Sequence, residues 1–181
     1  MFLLKDVIFS KNECNSLVNS ITEFTEAKLY YKGDGGDMKP AIITSQRKAL
    51  SSESPLIKDS SVYNQLNVIL KKVGYKLNSD TLNYNIVKYK EGHFIHSHKD
   101  GGEIFMTFVV QLSEPSEYTG GDFVYWINDE KHTLDKEIGY GIIIGPEIQH
   151  EVTMVTSGER NSFVLFLEYT NVLPISKQAL I

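Results

Sequence analysis

The stretch LNYNIVKYKEGHFIHSHKDGG, Leu82 to Gly102, marks the point where the chain changes its pattern. Upstream, apolar residues recur at helical spacing; from Leu82 onward they come in short runs rich in Val, Ile, Phe, Tyr and Thr. The later runs are EIFMTFVVQLS, GDFVYWI, EKHTLD, YGIIIGP, HEVTMVT and NSFVLFLEY, set apart by the turn signals KEG, KDGG, YTGG, INDE and SGE. Seven or eight strands behind a helical front predict a mainly β (α+β) protein. The compact solution is a double-stranded β-helix, or jelly roll, whose N-terminal helices buttress one sheet.

Toward the N-terminus, MFLLKDVIF predicts a short strand. Ser10 then caps a helix over KNECNSLVNSITEFTEA, with Cys14, Leu17, Val18, Ile21 and Phe24 at helical spacing. A second helix is predicted over SVYNQLNVILKKVGY, where Val62, Leu66, Val68, Ile69 and Val73 form the apolar side. At 181 residues and 41% apolar content, the chain suits a single domain over 1–181. Its parts are a helical and strand front, 1–81, and a jelly-roll core, 82–170.

Composition narrows the function classes. A net charge of -5 and a pI near 5.5 disfavour a protein that wraps nucleic acid, because phosphate binding shows as a basic patch. The single cysteine, Cys14, cannot close an internal disulfide and suits a reducing compartment. The apolar run before Lys5 and Asp6 is too short for a signal peptide or a membrane span. The expectation is a cytoplasmic protein without membrane association. Arginine is scarce: of 18 basic residues only Arg47 and Arg160 are arginines, so the planar guanidinium is expected where its geometry is needed.

The segment HSHKDGG offers two metal-binding pairs, His96 with His98 and His98 with Asp100. Both have i, i+2 spacing, which on a strand points the two side chains to one face, so spacing alone leaves both open. A mononuclear iron(II) site that must also bind a co-substrate and O₂ needs few protein ligands. Two histidines and one carboxylate leave three positions free. On that reading His98 and Asp100 are joined by a distant histidine at a strand start, and His150, which opens HEVTMVT, is the best candidate. The other pair is similar to a cupin site, which adds a glutamate and a later histidine. Glu103 would serve, but no glycine lies six residues before His96, and Ile148 occupies a usual cupin glycine position.

Three spaced segments carry a family resemblance. YKEGHFIHSHKD, with Tyr89, Gly92, Phe94, His98 and Asp100, resembles the iron- and 2-oxoglutarate-dependent dioxygenases of the prolyl 4-hydroxylase-like group. QLSEPSEYTGGDFVYW is similar to that family's Leu-Ser, Gly-Gly-acid-Phe segment. GYGIIIGPEIQHEVTMVTSGERNSFVLFL resembles its C-terminal signature: His150, then Val155 opening V-x-x-G-x-R, then Arg160 ten residues after the histidine. The resemblance spans residues 82–170.

It implies Fe(II) held by His98, Asp100 and His150, with 2-oxoglutarate and O₂ as co-substrates and ascorbate as an accessory reductant. Succinate and CO₂ would accompany hydroxylation of a substrate C–H bond. A 2-oxoglutarate that chelates iron at one end leaves its second carboxylate deep in an apolar barrel, where it needs a charged, bidentate partner. Arg160 can supply that, and Ser162, two residues on, shares its strand face and adds a hydrogen bond. Tyr89, Thr107 and Gln111 are further candidates for co-substrate contacts; some relatives place a tyrosine near the position of Gln111.

Halogenating relatives replace the acidic ligand, so Asp100 favours hydroxylation. Nucleic-acid demethylases carry a second arginine six residues after the first, where this chain has Phe166. The expected substrate is peptidyl proline, an amino acid or another small molecule. Arg47, in a segment (34–52) where relatives carry a substrate-covering loop, His96 and Trp126 are candidate substrate contacts. Tyr125 and Trp126 alternate faces, one to pack and one to line the mouth of the site. His93 and His132 read as solvated or adjacent to the site, and Asp122 as a turn organiser. The competing classes are a cupin-type dioxygenase that does not use 2-oxoglutarate and a non-catalytic jelly roll that binds a metal or an acidic ligand. A complete triad accompanied by Arg160 counts against the latter.

Overall fold

The computed structural model describes residues 3–27, 29–32, 38–41 and 47–175, with backbone alone over 29–32, 38–41 and 47–48. The front comprises β1 (Leu3–Val7), α1 (Lys11–Asn19), β2 (Thr25–Glu26), β3 (Leu29–Lys32), β4 (Met38–Ala41), β5 (Arg47–Lys48), β6 (Leu50–Ile57), α2 (Ser61–Lys72) and β7 (Tyr75–Leu77). Then follow β8 (Thr81–Lys90), β9 (Phe94–His98), β10 (Ile104–Gln111), β11 (Tyr118–Gly120), β12 (Phe123–Ile127) and β13 (Glu130–Thr133). The last strands are β14 (Tyr140–Ile144), β15 (His150–Val152), β16 (Val155–Glu168) and β17 (Val172–Pro174).

Two sheets form the double-stranded β-helix. The larger runs β1-β14-β10-β16-β8-β6-β2, with β11 also paired to β16; the smaller runs β13-β12-β15-β9-β5. Strict alternation divides the larger sheet's residues. Tyr84 and Ile86, Met106, Phe108 and Val110, and Phe163, Leu165 and Leu167 face outward into a core shared with the helices. Val87 and Tyr89, Val109, and Ile142 and Ile144 face inward, against Phe123, Tyr125 and Val152 of the smaller sheet. The helices therefore buttress the larger sheet, as expected, and leave the space between the sheets to the site.

Local chemistry explains where the helices begin. Ser10 and Glu13 form a reciprocal capping box on α1, and the Ser60 hydroxyl accepts from the Tyr63 amide at the start of α2. α1 is shorter than predicted. It ends at Asn19, where the Ser20 hydroxyl donates to the Leu17 carbonyl, and the β-branched pair Ile21 and Thr22 follows before β2. α2 buries Tyr63, Leu66, Ile69 and Leu70, whereas Val68, placed on the apolar side from spacing, is half exposed.

The SGE turn expected between HEVTMVT and NSFVLFLEY lies instead inside β16, a single strand of 14 residues. Gly158 absorbs the irregularity with φ of 76°. A Cβ at that position would lie 2.0 Å from the Glu117 carbonyl oxygen, so the approach of β11 needs a glycine there. Among the described residues, no helix is long and apolar enough to cross a membrane.

Candidate active site

The metal-binding candidates meet on the inner face of the smaller sheet. His98, the last residue of β9, is the cross-strand partner of His150, the first of β15, and their ring centroids are 4.3 Å apart. A bulge makes this possible. The two steps from His150 to Val152 on β15 face three steps on β9, from His98 back to Ile95. Ile95 and His98, an odd number of residues apart, thus both turn inward, and His96 is left outside against the Phe94 ring at 4.6 Å. The bulge decides between the two pairs in HSHKDGG: His96 contributes no imidazole to the cluster. Its backbone carbonyl instead accepts from His98 Nδ1 at 2.8 Å.

Each donor's second atom is engaged elsewhere. A carbonyl can only accept, so the 2.8 Å contact puts the proton of His98 on Nδ1, and the 3.0 Å contact of His150 Nδ1 with the Ile148 carbonyl does the same there. Nε2 of each ring keeps its lone pair for a metal. Asp100 does not share the β9 strand face, as i, i+2 spacing suggested; it lies just past the strand's end. Thr107, on the inner face of β10, donates its hydroxyl to Asp100 Oδ2 at 2.5 Å. That leaves Oδ1 at 3.9 Å from Nε2 of both histidines. The three ligand atoms lie within 4.8 Å of one another, a set whose softness and number suit Fe(II). Burial pushes the His150 pKa below the ordinary imidazole value, with His98 adding to the effect and Asp100 opposing it, so the ring is neutral and ready to ligate.

The same face carries an aromatic row. Register places His132, Tyr125, His150 and His98 side by side across four strands, with Tyr125 stacked on His132 at 5.3 Å and Phe123 on His150 at 5.5 Å. Tyr125, not Trp126, therefore shares the face of the metal cluster. Trp126, expected as a substrate contact, turns to the opposite face beneath Lys131, whose Nζ lies 5.8 Å from the ring. Spacing showed that the two alternate, and only the register with His150 shows which one faces in. Arg47 pairs through β5 with Ile95 of β9, but its side chain, like residues 34–37 and 42–46 of the expected covering segment, lies outside the described residues. Asp122 organises its turn as expected, through Lys136 at 2.9 Å and Thr153.

Deeper between the sheets sits Arg160, fully buried. Its guanidinium donates to Gln111 Oε1 at 2.9 Å and Ser162 Oγ at 3.3 Å, and its carbon Cζ lies 5.1 Å from the centre of the Tyr89 ring. Among the described residues no carboxylate pairs with it, and its Nε has no partner. An interior cation held only by neutral groups is costly, and an anionic ligand removes that cost. Thr107 and Gln111 connect the two halves of the site. They are four residues apart on the inner face of β10, about 13 Å along a strand, with Thr107 bound to Asp100 and Gln111 to Arg160. Thr107, expected at the co-substrate, is occupied with the carboxylate ligand; Gln111, Ser162 and Tyr89 all touch Arg160.

No protein-family model matches the chain, and no curated protein matches its sequence. Solved structures do. A prolyl-4-hydroxylase from Pseudomonas putida superposes with a TM-score of 0.67 at 14% identity, over 92% of this chain and 91% of that one. A viral collagen prolyl hydroxylase from Paramecium Bursaria Chlorella virus-1, solved with 2-oxoglutarate, gives 0.63 at 17% identity over 92% and 95%. An oxidoreductase of the 2OG-Fe(II) oxygenase family from Burkholderia pseudomallei gives 0.63 at 17% identity over 93% and 86%. The chain shares the fold of prolyl 4-hydroxylase-like 2-oxoglutarate oxygenases, and within that fold it carries a His-Asp-His cluster able to hold a metal.

Proposed function

We propose that the protein is an Fe(II)- and 2-oxoglutarate-dependent dioxygenase that hydroxylates a C–H bond of a peptidyl-prolyl, amino-acid or other small substrate. The observation that carries this reading is Arg160, a buried cation with no acidic partner among the described residues, between the same two sheets as a cluster of two imidazoles and a carboxylate and connected to it along β10 through Gln111 and Thr107. A metal alone would explain the cluster and leave the arginine unexplained. A ligand with a chelating end and a free carboxylate accounts for both.

His98 Nε2, His150 Nε2 and Asp100 Oδ1 would hold the iron, which when loaded supplies the activation of O₂ coupled to oxidative decarboxylation of 2-oxoglutarate to succinate and CO₂. The chain's own groups set the geometry. The carbonyls of His96 and Ile148 fix the two imidazole tautomers, and Thr107 fixes the rotamer of Asp100. Arg160, Gln111 and Ser162 orient the distal carboxylate, while the ring of Tyr89 and the inward-facing Val109, Ile142 and Ile144 exclude water around it. The side chain of His98 is a third exposed, whereas those of His150 and Asp100 are 7% exposed, so substrate reaches the metal from the His98 side.

The test is turnover of 2-oxoglutarate by the full chain with Fe(II) and ascorbate, alone and with proline-containing peptides, amino acids and small metabolites. Succinate release that one substrate class stimulates is the expected result. Confirmed metal binding with no succinate under any condition overturns the reading in favour of a jelly roll that binds a metal without consuming 2-oxoglutarate.

A further inference from the structure

Arg160 Nε is not the only buried donor left over inside the barrel. Gln111 Nε2 and the Tyr118 hydroxyl also have no hydrogen-bond partner, in side chains that are 0% and 3% exposed. Gln111 is tied to the arginine directly, since its Oε1 accepts from the guanidinium and its amide nitrogen is thereby the end left free. Tyr118 is tied to it through Gly121. A Cβ built on that glycine would lie 3.1 Å from Arg160 Cδ and 3.4 Å from Tyr118 Cδ2, so the phenol ring and the arginine stem flank the same residue. Register agrees: Tyr118 is opposite Gly158, two residues before Arg160 on β16. Lys136, whose Nζ lies 4.9 Å from the centre of the Tyr118 ring, is itself bound to Asp122 and to the Gly120 carbonyl.

A buried phenol without an acceptor is a cost to the fold that phenylalanine would not carry. We propose that Tyr118 is a further donor to the co-substrate's distal carboxylate, its hydroxyl joining Arg160, the Gln111 amide and Ser162 in holding that group. This inference rests on the function proposed above. Charge from Arg160 selects an anion, and the neutral donors around it select a carboxylate at one depth, so they discriminate among 2-oxoacids by chain length.

The experiment is calorimetric titration of 2-oxoglutarate, and separately of oxalate, into the full chain loaded with Zn(II), for wild type and Tyr118→Phe. Oxalate presents a chelating end and lacks the distal carboxylate. The expected result is 2-oxoglutarate binding weakened by about tenfold or more in Tyr118→Phe, with oxalate and zinc affinities unchanged. The melting temperature of the ligand-free variant should match or exceed that of wild type. Equal 2-oxoglutarate affinity in the two proteins overturns the inference while the proposed function stands. Parallel loss of oxalate and 2-oxoglutarate, or a lowered melting temperature, also overturns it, because the hydroxyl would then be structural. If wild type with zinc binds oxalate but not 2-oxoglutarate, the proposed function fails and the inference with it.

Discussion

The two ends of the site are built on different physical terms. At the open end, His98 is a third exposed, and its imidazole is oriented by a backbone carbonyl two residues away. At the closed end, Arg160 is fully buried and is held by side chains from other strands, chiefly Gln111 of β10 and Tyr89 of β8. The open end forms a ligand set from local hydrogen bonds and one bulge. The closed end keeps a cation in an apolar interior, an arrangement whose stability depends on what binds there.

The largest effects should come from the metal ligands. Asp100→Ala and His150→Ala are expected to lower metal affinity by more than the ~10–100-fold typical of losing an outer hydrogen-bond partner, while His96→Ala stays near wild type in a zinc-binding titration. Metal loss in His96→Ala with retention in Asp100→Ala would move the site to the cupin arrangement. Next in size, Arg160→Met should weaken 2-oxoglutarate binding by ~2–5 kcal/mol, roughly 30-fold or more. Metal affinity should be unchanged and the melting temperature of the ligand-free protein unchanged or higher. An arginine that served only the fold would give the reverse pattern, a less stable protein with intact binding.

Thr107→Val tests the link between the two ends. Freeing Asp100 Oδ2 should lower metal affinity by about 10–100-fold, and Thr107→Ser should restore it. The smallest effect is in pH. The His150 pKa is lowered by burial, so the unfolded chain binds the proton more tightly than the folded one. The stability this histidine contributes is complete above its ordinary value of 6.5 and is lost as pH falls from there through the lowered folded value. Melting curves of metal-free protein between pH 7.5 and 5, roughly spanning the ordinary imidazole pKa, should show this decline, and the His150→Gln variant should flatten it.

Much of this was readable in the sequence, because strand periodicity and metal-ligand chemistry are local. The alternation in FMTFVVQ and NSFVLFL fixes which residues of β10 and β16 face the barrel, and with them Thr107, Gln111, Arg160 and Ser162. Features set by pairing between strands were not readable. The bulge that turns His98 inward and His96 outward depends on the partner strand, and so does the choice of Tyr125 over Trp126. The uninterrupted run of β16 through SGE needs Gly158 beneath a neighbouring carbonyl, which no local turn signal announces. Tyr118 carries no signal of its own in the sequence, since nothing in EYTGG distinguishes a buried phenol from an ordinary strand residue.

The central claim is that one small dicarboxylate spans the cluster and the buried arginine. Its most direct test is a crystal structure of the full chain with Mn(II) and 2-oxoglutarate grown without O₂. The account predicts the metal on His98, Asp100 and His150, and the distal carboxylate within hydrogen-bonding distance of the Arg160 guanidinium. A metal bound through His96, or a 2-oxoglutarate whose distal carboxylate lies away from Arg160, would contradict it.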